Sequence, residues 1–393
     1  MADEVILEGD EFASSFGESL DKTLDIDTWS SHDDLLHLYQ QMEREVQEAV
    51  QQGDSVRDQL RGVVFPKLSG SSSAIAETGV YRATVENIQQ VHNQLLFNGN
   101  VEACDGNSLV DDRLPLTITQ IGVALVSYHG ERGTWAHRLF RRDLRQHNND
   151  VVAEMLDLLE KRSQRNAIDV EERQDQISAL ARRGVMAYAE RAILLNRSDK
   201  PWRMGHGNPA PYEILTGSGS MDLLEKGIEV LYKLLGEHKR FVYVPSTTSL
   251  RGRLYPTLGD ALNPLEYIVL ESAQSQMLKI IDSGHYATKY RNKAAEFANT
   301  VGPDILIGVY RTNRLAPARV FFGHREYIHQ AALIAMADSV LVEHRGFPTL
   351  IDLADTVCRN LMGADSFVPG VDTAYLSAGA PFSHTPERAN RPN

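Results

Sequence analysis

Val101-Glu102-Ala103-Cys104-Asp105-Gly106-Asn107 is the stretch on which the fold turns. Its apolar residues read as a core strand, and Gly106-Asn107 reads as the turn that closes it after Asp105. Working outward, a longer strand is predicted over residues 116–128 and another over 134–140, with turn signals at His129-Gly130 and Gly133 between them. Short apolar runs separated by such turns predict antiparallel hairpins.

Upstream, the spacing predicts a helix over 81–96. Downstream it predicts helix over 150–162 and 170–196, then a loop carrying Pro201, Pro209 and Pro211. A strand over 212–216, a helix over 221–235, a strand over 241–244 and a helix over 264–282 are expected next. Strands over 305–311 and 318–322 precede helices over 328–341 and 348–361. Hairpins followed by alternating helix and strand define a mixed α/β protein. A ribonuclease-H-like mixed sheet flanked by helices, with a helical N-terminal extension, fits this order, as do several other folds.

Residues 1–68 form an expected acidic segment and helix, the helix over 33–52 having Leu35, Tyr39, Met42, Val46 and Val50 on one face. Residues 69–79, opening with Ser69-Gly70-Ser71-Ser72-Ser73, read as a linker, and 80–362 as the main domain. Residues 363–393, rich in Pro, Gly and Ser, read as a loosely ordered tail.

The formal net charge is −13, yet residues 1–34 hold eleven acids and one base, Lys22. The remaining chain is near neutral, so local basic clusters can dominate. Arg132, Arg138, Arg141, Arg142 and Arg145 face only Asp143 in their neighbourhood. Such a cluster suits phosphate contact by counterion release, and equally a solvated hairpin. Two cysteines, Cys104 and Cys358, exclude a disulfide framework and a multi-cysteine zinc site. No apolar stretch is long enough for a membrane helix and the first residues are acidic, so a cytoplasmic protein is expected.

Phosphate-loop, HExxH and GxSxG signatures are absent. Gly217-Ser218-Gly219-Ser220 before a helix reads as a phosphate cradle or as a plain strand-to-helix turn. Carboxylates carry more information. Asp105, at a predicted strand end, is placed either to meet a divalent cation or to make an Asx-turn. Glu190 has Met186 at i−4 and Leu194 at i+4, so it lies by the apolar stripe of its helix. An acid there needs a metal or an ion pair, with Arg191 or Arg183 as partner. Asp355 lies between Ile351 and Cys358 in the same manner, as a ligand or a partly solvated acid, whereas Asp352 points away. An oxygen-only set of this kind suits Mg²⁺ or Mn²⁺. His206, within Gly205-His206-Gly207, reads as a surface-loop residue, and His129 and His137 as hairpin residues near the arginines.

These residues resemble the NurA nuclease family. Its strand ending in Asp-Gly-Ser is matched by Ala103-Cys104-Asp105-Gly106-Asn107, and its helical Glu by Ala189-Glu190-Arg191. A second strand ending in Asp-Gly-Ser-Leu is matched by Ile214-Leu215-Thr216-Gly217-Ser218, with Thr216 in the place of Asp. An aromatic-Pro helix start followed by Ala-His is matched by Phe347-Pro348 through Ala354-Asp355, with Asp355 in the place of His. A Lys-Ser-rich stretch of the family corresponds to Pro245-Ser246-Thr247-Thr248-Ser249, which lacks the lysine.

The resemblance implies a ribonuclease-H-like core and a homodimer. It implies Mn²⁺- or Mg²⁺-dependent hydrolysis of DNA, a HerA-type hexameric ATPase as partner, and a role in DNA-end repair or antiviral defence. Asp105, Glu190 and Asp355 are then the catalytic metal ligands, and Arg138, Arg141 and Arg142 the DNA-phosphate contacts. The loss of Asp at Thr216 leaves a second expectation open, a degenerate adaptor that binds and regulates the ATPase. Isolated apolar residues in the acidic segment, such as Phe12, Leu20, Leu24, Ile26 and Trp29, suit a stretch that folds onto such a partner.

Overall fold

The computed structural model describes residues 12–14, 17–29, 35–112, 116–129, 134–143, 156, 179–246, 254–284 and 288–379. The helix expected over 150–162, all but residue 156, and the first part of that expected over 170–196 lie outside them.

The chain divides into two compact units, Met1–Gln59 and Leu60–Asn393. In the first, α1 (Leu35–Gln59) continues the expected helix by two turns. Its Tyr39, Met42, Val46 and Val50 are exposed. Before it, a short helix Leu20–Leu24 is capped by Ser19, whose Oγ accepts from Lys22 N at 3.3 Å. Trp29 folds back to donate from Nε1 to Thr23 O at 2.9 Å.

The second unit is built on a sheet of nine strands among the described residues. They are β1 (Gly79–Arg82), β2 (Val101–Asp112), β3 (Leu116–Val126), β4 (Thr134–Asp143), β5 (Trp202–His206), β6 (Phe241–Val244), β7 (Glu266–Ser272), β8 (Ile305–Arg311) and β9 (Arg319–His324). Their order is β1-β7-β8-β9-β6-β5-β2-β3-β4. β2, β3 and β4 are antiparallel neighbours, as the hairpin signals predict. β5 and β6 join β2 in parallel. This β4-β3-β2-β5-β6 arrangement is the ribonuclease-H-like core, and β9, β8, β7 and β1 extend it by antiparallel pairing.

Both faces of the sheet are covered, so the central strands read as near-continuous apolar runs. On one face lie α3 (Ala179–Arg197), α4 (Met221–Leu231), α5 (Leu254–Asp260), α6 (Gln274–Ser283) and α7 (Thr288–Thr300), packed through Leu194, Ile228, Tyr255, Met277 and Phe297. On the other lie α2 (Val85–Val91), α8 (Ile328–Ser339) and α9 (Thr349–Leu361). α8 is apolar nearly all round and almost wholly buried, as its small and branched residues allow. No helix among the described residues is long and apolar enough to cross a membrane.

Four expectations are corrected. Residues 212–216 are not a strand: Tyr212–Leu215 form a short helical turn that starts after Pro211. The strand lies earlier, at β5, inside the expected proline loop. The helix expected over 264–282 is a strand, β7, followed by α6, because Tyr267-Ile268-Val269-Leu270 are buried on both faces and show no alternation. Tyr81 belongs to β1 rather than to the following helix, which Thr84 caps at Val85. Ala364–Ser377 is a helix, α10, rather than a loose tail.

Candidate active site

β2 places Asp105. Val101, Ala103 and Asp105 share one face, and the first two are fully buried in the core beneath α8 and α9. β2 does not end at Asp105: Gly106 and Asn107 pair onward with Val123 and Gly122 of β3. What ends is the parallel pairing to β5, at Cys104–Gly205. Asp105 therefore sits where β2 parts from β5, at the carboxyl end of the parallel pair, the place where open α/β sheets bind ligands. Its Oδ1 accepts from Gly106 N at 2.9 Å, an Asx-type contact made inside a strand and not in a turn.

α3 brings Glu190 to the same place. It is built of good helix formers and crosses β2 at Gly106. A Cβ on Gly106 would stand 2.7 Å from Glu190 Oε1 and 3.0 Å from Met186 Cγ, so the bare glycine is what admits the carboxylate. Glu190 Oε2 accepts from Arg191 Nη1 at 3.0 Å. Arg191 is itself buried, and also donates to Ala187 O at 2.8 Å and Pro209 O at 3.0 Å. The ion pair foreseen as one option for Glu190 is thus present, and the carboxylate still lines the cleft. Burial pushes Glu190 up to about 7, with the Asp105 charge adding and Arg191 opposing.

β5 supplies a residue that spacing alone misplaces. His206, expected in a surface loop, is the last residue of β5, and its Nδ1 lies 3.4 Å from Asp105 Oδ1. Burial pulls it down, but the hydrogen bond and charge of Asp105, with Glu190 and Asp355, hold it above the ordinary histidine value. His206-Gly207-Asn208 follows β5 as Asp105-Gly106-Asn107 lies in β2, an echo visible in the sequence. Thr216, which the family resemblance places at a strand end, is not on a strand, and the strand end beside Asp105 is His206. Thr216 donates from Oγ1 to Tyr212 O at 2.8 Å and does not line the cleft.

α9 completes the floor. Its N-terminus is capped from α8: Asp338 Oδ2 accepts from Leu350 N at 2.8 Å, while Tyr128 donates to Asp338 Oδ1 at 2.5 Å. Asp355 and Asp352, one turn apart, both line the cleft, so Asp352 does not point away as expected. Burial and then the Asp105 charge raise Asp355 above the usual carboxylate range. The cleft is open, about 510 Å³, and is lined also by Met186, Arg319, Arg345 and Phe347.

Asp105, Glu190 and Asp355, from a strand and two helices on opposite faces of the sheet, thus meet in one cleft. Their donor chemistry fits a hard divalent cation, and burial first, with the Asp105 charge adding to it, raises both Glu190 and Asp355. Each has its own basic neighbour: Arg191 for Glu190, His206 for Asp105, and Arg359 at 3.8 Å for Asp355. Among the described residues no three His, Cys, Asp or Glu side chains are yet drawn into one coordination cage.

The remaining expectations fall elsewhere. Arg138 and Arg141 are exposed on β4, an edge strand, and do not line the cleft. Nothing is described of the Arg142 side chain, and Arg132 and Arg145 lie outside the described residues. Ser218, in the glycine-rich turn, is buried and donates to Glu213 O at 2.9 Å, which leaves a packed turn and no anion cradle.

Among solved structures, the chain is similar to the NurA nuclease from Sulfolobus solfataricus, at 9% identity over 86% of this chain and 98% of that chain, with a TM-score of 0.47. It is similar to NurA bound to dAMP and manganese, at 9% identity over 81% of this chain and 92% of that chain, with a TM-score of 0.39. It is also similar to an Endonuclease V from Bacillus subtilis, at 12% identity over 72% of this chain and 94% of that chain, with a TM-score of 0.32. No protein-family model matches the chain, and no curated protein does.

Proposed function

We propose that this chain is a metal-dependent nuclease, a diverged relative of the NurA type, which hydrolyses DNA phosphodiester bonds in the cleft between β2, β5 and α9. The observation that carries the reading is the meeting of Asp105, Glu190 and Asp355 at the parting of β2 and β5. Mn²⁺ or Mg²⁺ bound there would supply a polarised phosphate and an activated water, in the manner of two-metal phosphodiester hydrolysis. Asp105 and Glu190 would hold the cations from two sides of β2, and Asp355 from α9. His206 would add a ring nitrogen as a ligand, or carry a proton at Nε2 while Nδ1 stays turned to Asp105.

The charge missing at Thr216 is the ground for the degenerate-adaptor reading. With His206 at the strand end, that ground is replaced by another: each carboxylate starts out beside a basic side chain with which a cation would compete. Homodimerisation, a HerA-type hexameric ATPase as partner, and a role in DNA repair or antiviral defence belong to the same proposal and rest on the motif resemblance.

The test is cleavage of end-labelled single- and double-stranded DNA in Mn²⁺ and in Mg²⁺, with and without the ATPase, by wild type and Asp105→Ala. Cleavage abolished in the variant supports the nuclease. A wild-type protein inert in every metal and with the ATPase present supports the adaptor.

A further inference from the structure

An acidic cleft repels a phosphodiester, so a nuclease needs cations placed to receive one. Apart from His206, the cationic side chains lining the cleft among the described residues are Arg319 and Arg345. They differ in how they are held. Arg319 is half-buried and committed to the backbone, donating from Nη1 to Ser246 O at 2.8 Å and from Nη2 to Arg345 O at 2.9 Å. Arg345 makes its ion pair to a side chain, from Nη2 to Asp352 Oδ1 at 2.6 Å. That pair is 53% and 29% exposed at its two side chains, the regime in which ion pairs are weak and readily exchanged.

The loop around Arg345 is held firmly. Gly346 has φ +56°, and a Cβ there would stand 2.7 Å from Ala316 Cβ and 2.9 Å from Pro317 O. Phe347, next in the chain, lies under both guanidinium groups, 5.5 Å from Arg319 and 6.0 Å from Arg345. The backbone of Arg345 is thus fixed by Arg319 and Gly346, while its guanidinium is held only by side chains, the Asp352 carboxylate and the Phe347 ring.

We propose that Arg345 is the phosphate-binding residue of the cleft, exchanging its ion pair with Asp352 for a nucleic-acid phosphodiester, and that Arg319 positions it. This rests on the nuclease reading. The guanidinium fork suits a bidentate phosphate contact. The exchange also frees the Asp352 carboxylate inside the cleft as the substrate arrives.

The experiment reads binding of a fluorescein-labelled, phosphorothioate-backbone oligodeoxynucleotide by fluorescence anisotropy across a salt series in Mn²⁺. Arg345→Ala is expected to weaken binding about tenfold or more and to keep the wild-type Tm. It is expected to reduce the slope of log K against log salt by about 0.7 for a single strand. Arg345→Lys should keep the slope and recover part of the affinity. Asp352→Asn, which releases the arginine, should tighten binding. An Asp352→Asn protein weakened as much as Arg345→Ala would show a structural latch and overturn the proposal. An unchanged salt slope in Arg345→Ala, with wild type binding, would overturn it too and leave the nuclease reading standing. A wild type that binds no oligonucleotide at any salt would overturn both.

Discussion

His206 Nδ1 faces Asp105 Oδ1 at 3.4 Å across two adjacent parallel strands, at the step just beyond their last paired residues, Cys104 and Gly205. A histidine and an aspartate so placed answer for each other. If the pair belongs to the active site, His206→Ala should lower cleavage by at least about tenfold, the scale of a missing ligand or proton carrier. Thr216→Ala should leave cleavage near wild type. Equal losses in the two variants would return the third functional position to Thr216.

Gly106 gives a steric prediction. A methyl group there meets Glu190 Oε1 at 2.7 Å and Met186 Cγ at 3.0 Å. Gly106→Ala should cost about 1–3 kcal/mol of stability from overpacking. It should also displace the carboxylate, so that cleavage falls further than Tm explains. Combining it with Met186→Ala should restore stability more than activity. Recovery of both together would mean that Glu190 has no catalytic part.

Asp338 predicts a pH dependence. Burial pushes it up to about 7, against hydrogen bonds from Tyr128 and Leu350 N that favour its ionised form. In the unfolded chain it titrates near about 3.9. Its folded-state pKa is raised, so its contribution to stability is fully present below about pH 4. That contribution is lost as pH rises to about 7. Wild type should therefore lose Tm between pH 5 and pH 8, and Asp338→Asn should lose less. The variant will start lower, because its amide offers one accepting oxygen to two donors, Tyr128 and Leu350 N. An identical pH slope in the two proteins would remove Asp338 as the cause.

Arg138 and Arg141 sit on the β4 edge, away from the cleft lining. The triple change of Arg138, Arg141 and Arg142 to Ala should lower the salt slope of duplex binding by about one unit for each phosphate left without its arginine. The cleavage rate of bound DNA should stay as it was. A slope equal to wild type would route DNA away from the hairpin.

Deleting residues 1–34 should weaken capture of the ATPase and leave cation binding by the cleft as it was, measured by co-purification and calorimetry. Undiminished co-purification would place the docking element elsewhere.

The hairpins and the strands β6, β8 and β9 are legible because each is an apolar run bounded by turns, whereas β7 and part of β1 read as helix. β6 and β8 stand at the expected residues, 241–244 and 305–311. β5 is not legible. Trp202-Arg203-Met204-Gly205-His206 carries few apolar side chains and lies among prolines, which draws the expected strand ten residues downstream to Ile214-Leu215. The apolar face there is real, but it packs from a helical turn. The signal that finds β5 is the repeat of Gly-Asn after an acid in β2 and after a histidine here. The places of Glu190 and Asp355 are legible because a charged residue beside an apolar stripe needs a partner, and position within a stripe can be read from spacing; Asp105 reads as a strand end, whereas what ends beside it is only the pairing to β5. Arg345 and Asp352 are not, since spacing along a helix does not say which neighbouring loop closes over it.

β2 runs unbroken from Val101 to Asp112, bonded to β3 along ten consecutive pairs from Ala103 to Asp112. Asp105 thereby inherits its position from a ladder and not from a loop, and the ladder moves only in whole steps. Adding or removing one residue between Val101 and Asp105 would present Cys104 or Gly106 to the cleft and send the aspartate to the α3 side. The proposed chemistry is in that sense indexed: loops around the cleft can lengthen and drift while it persists, but a single-codon insertion between Val101 and Asp105 would erase it in a chain that otherwise still packs its outer strands.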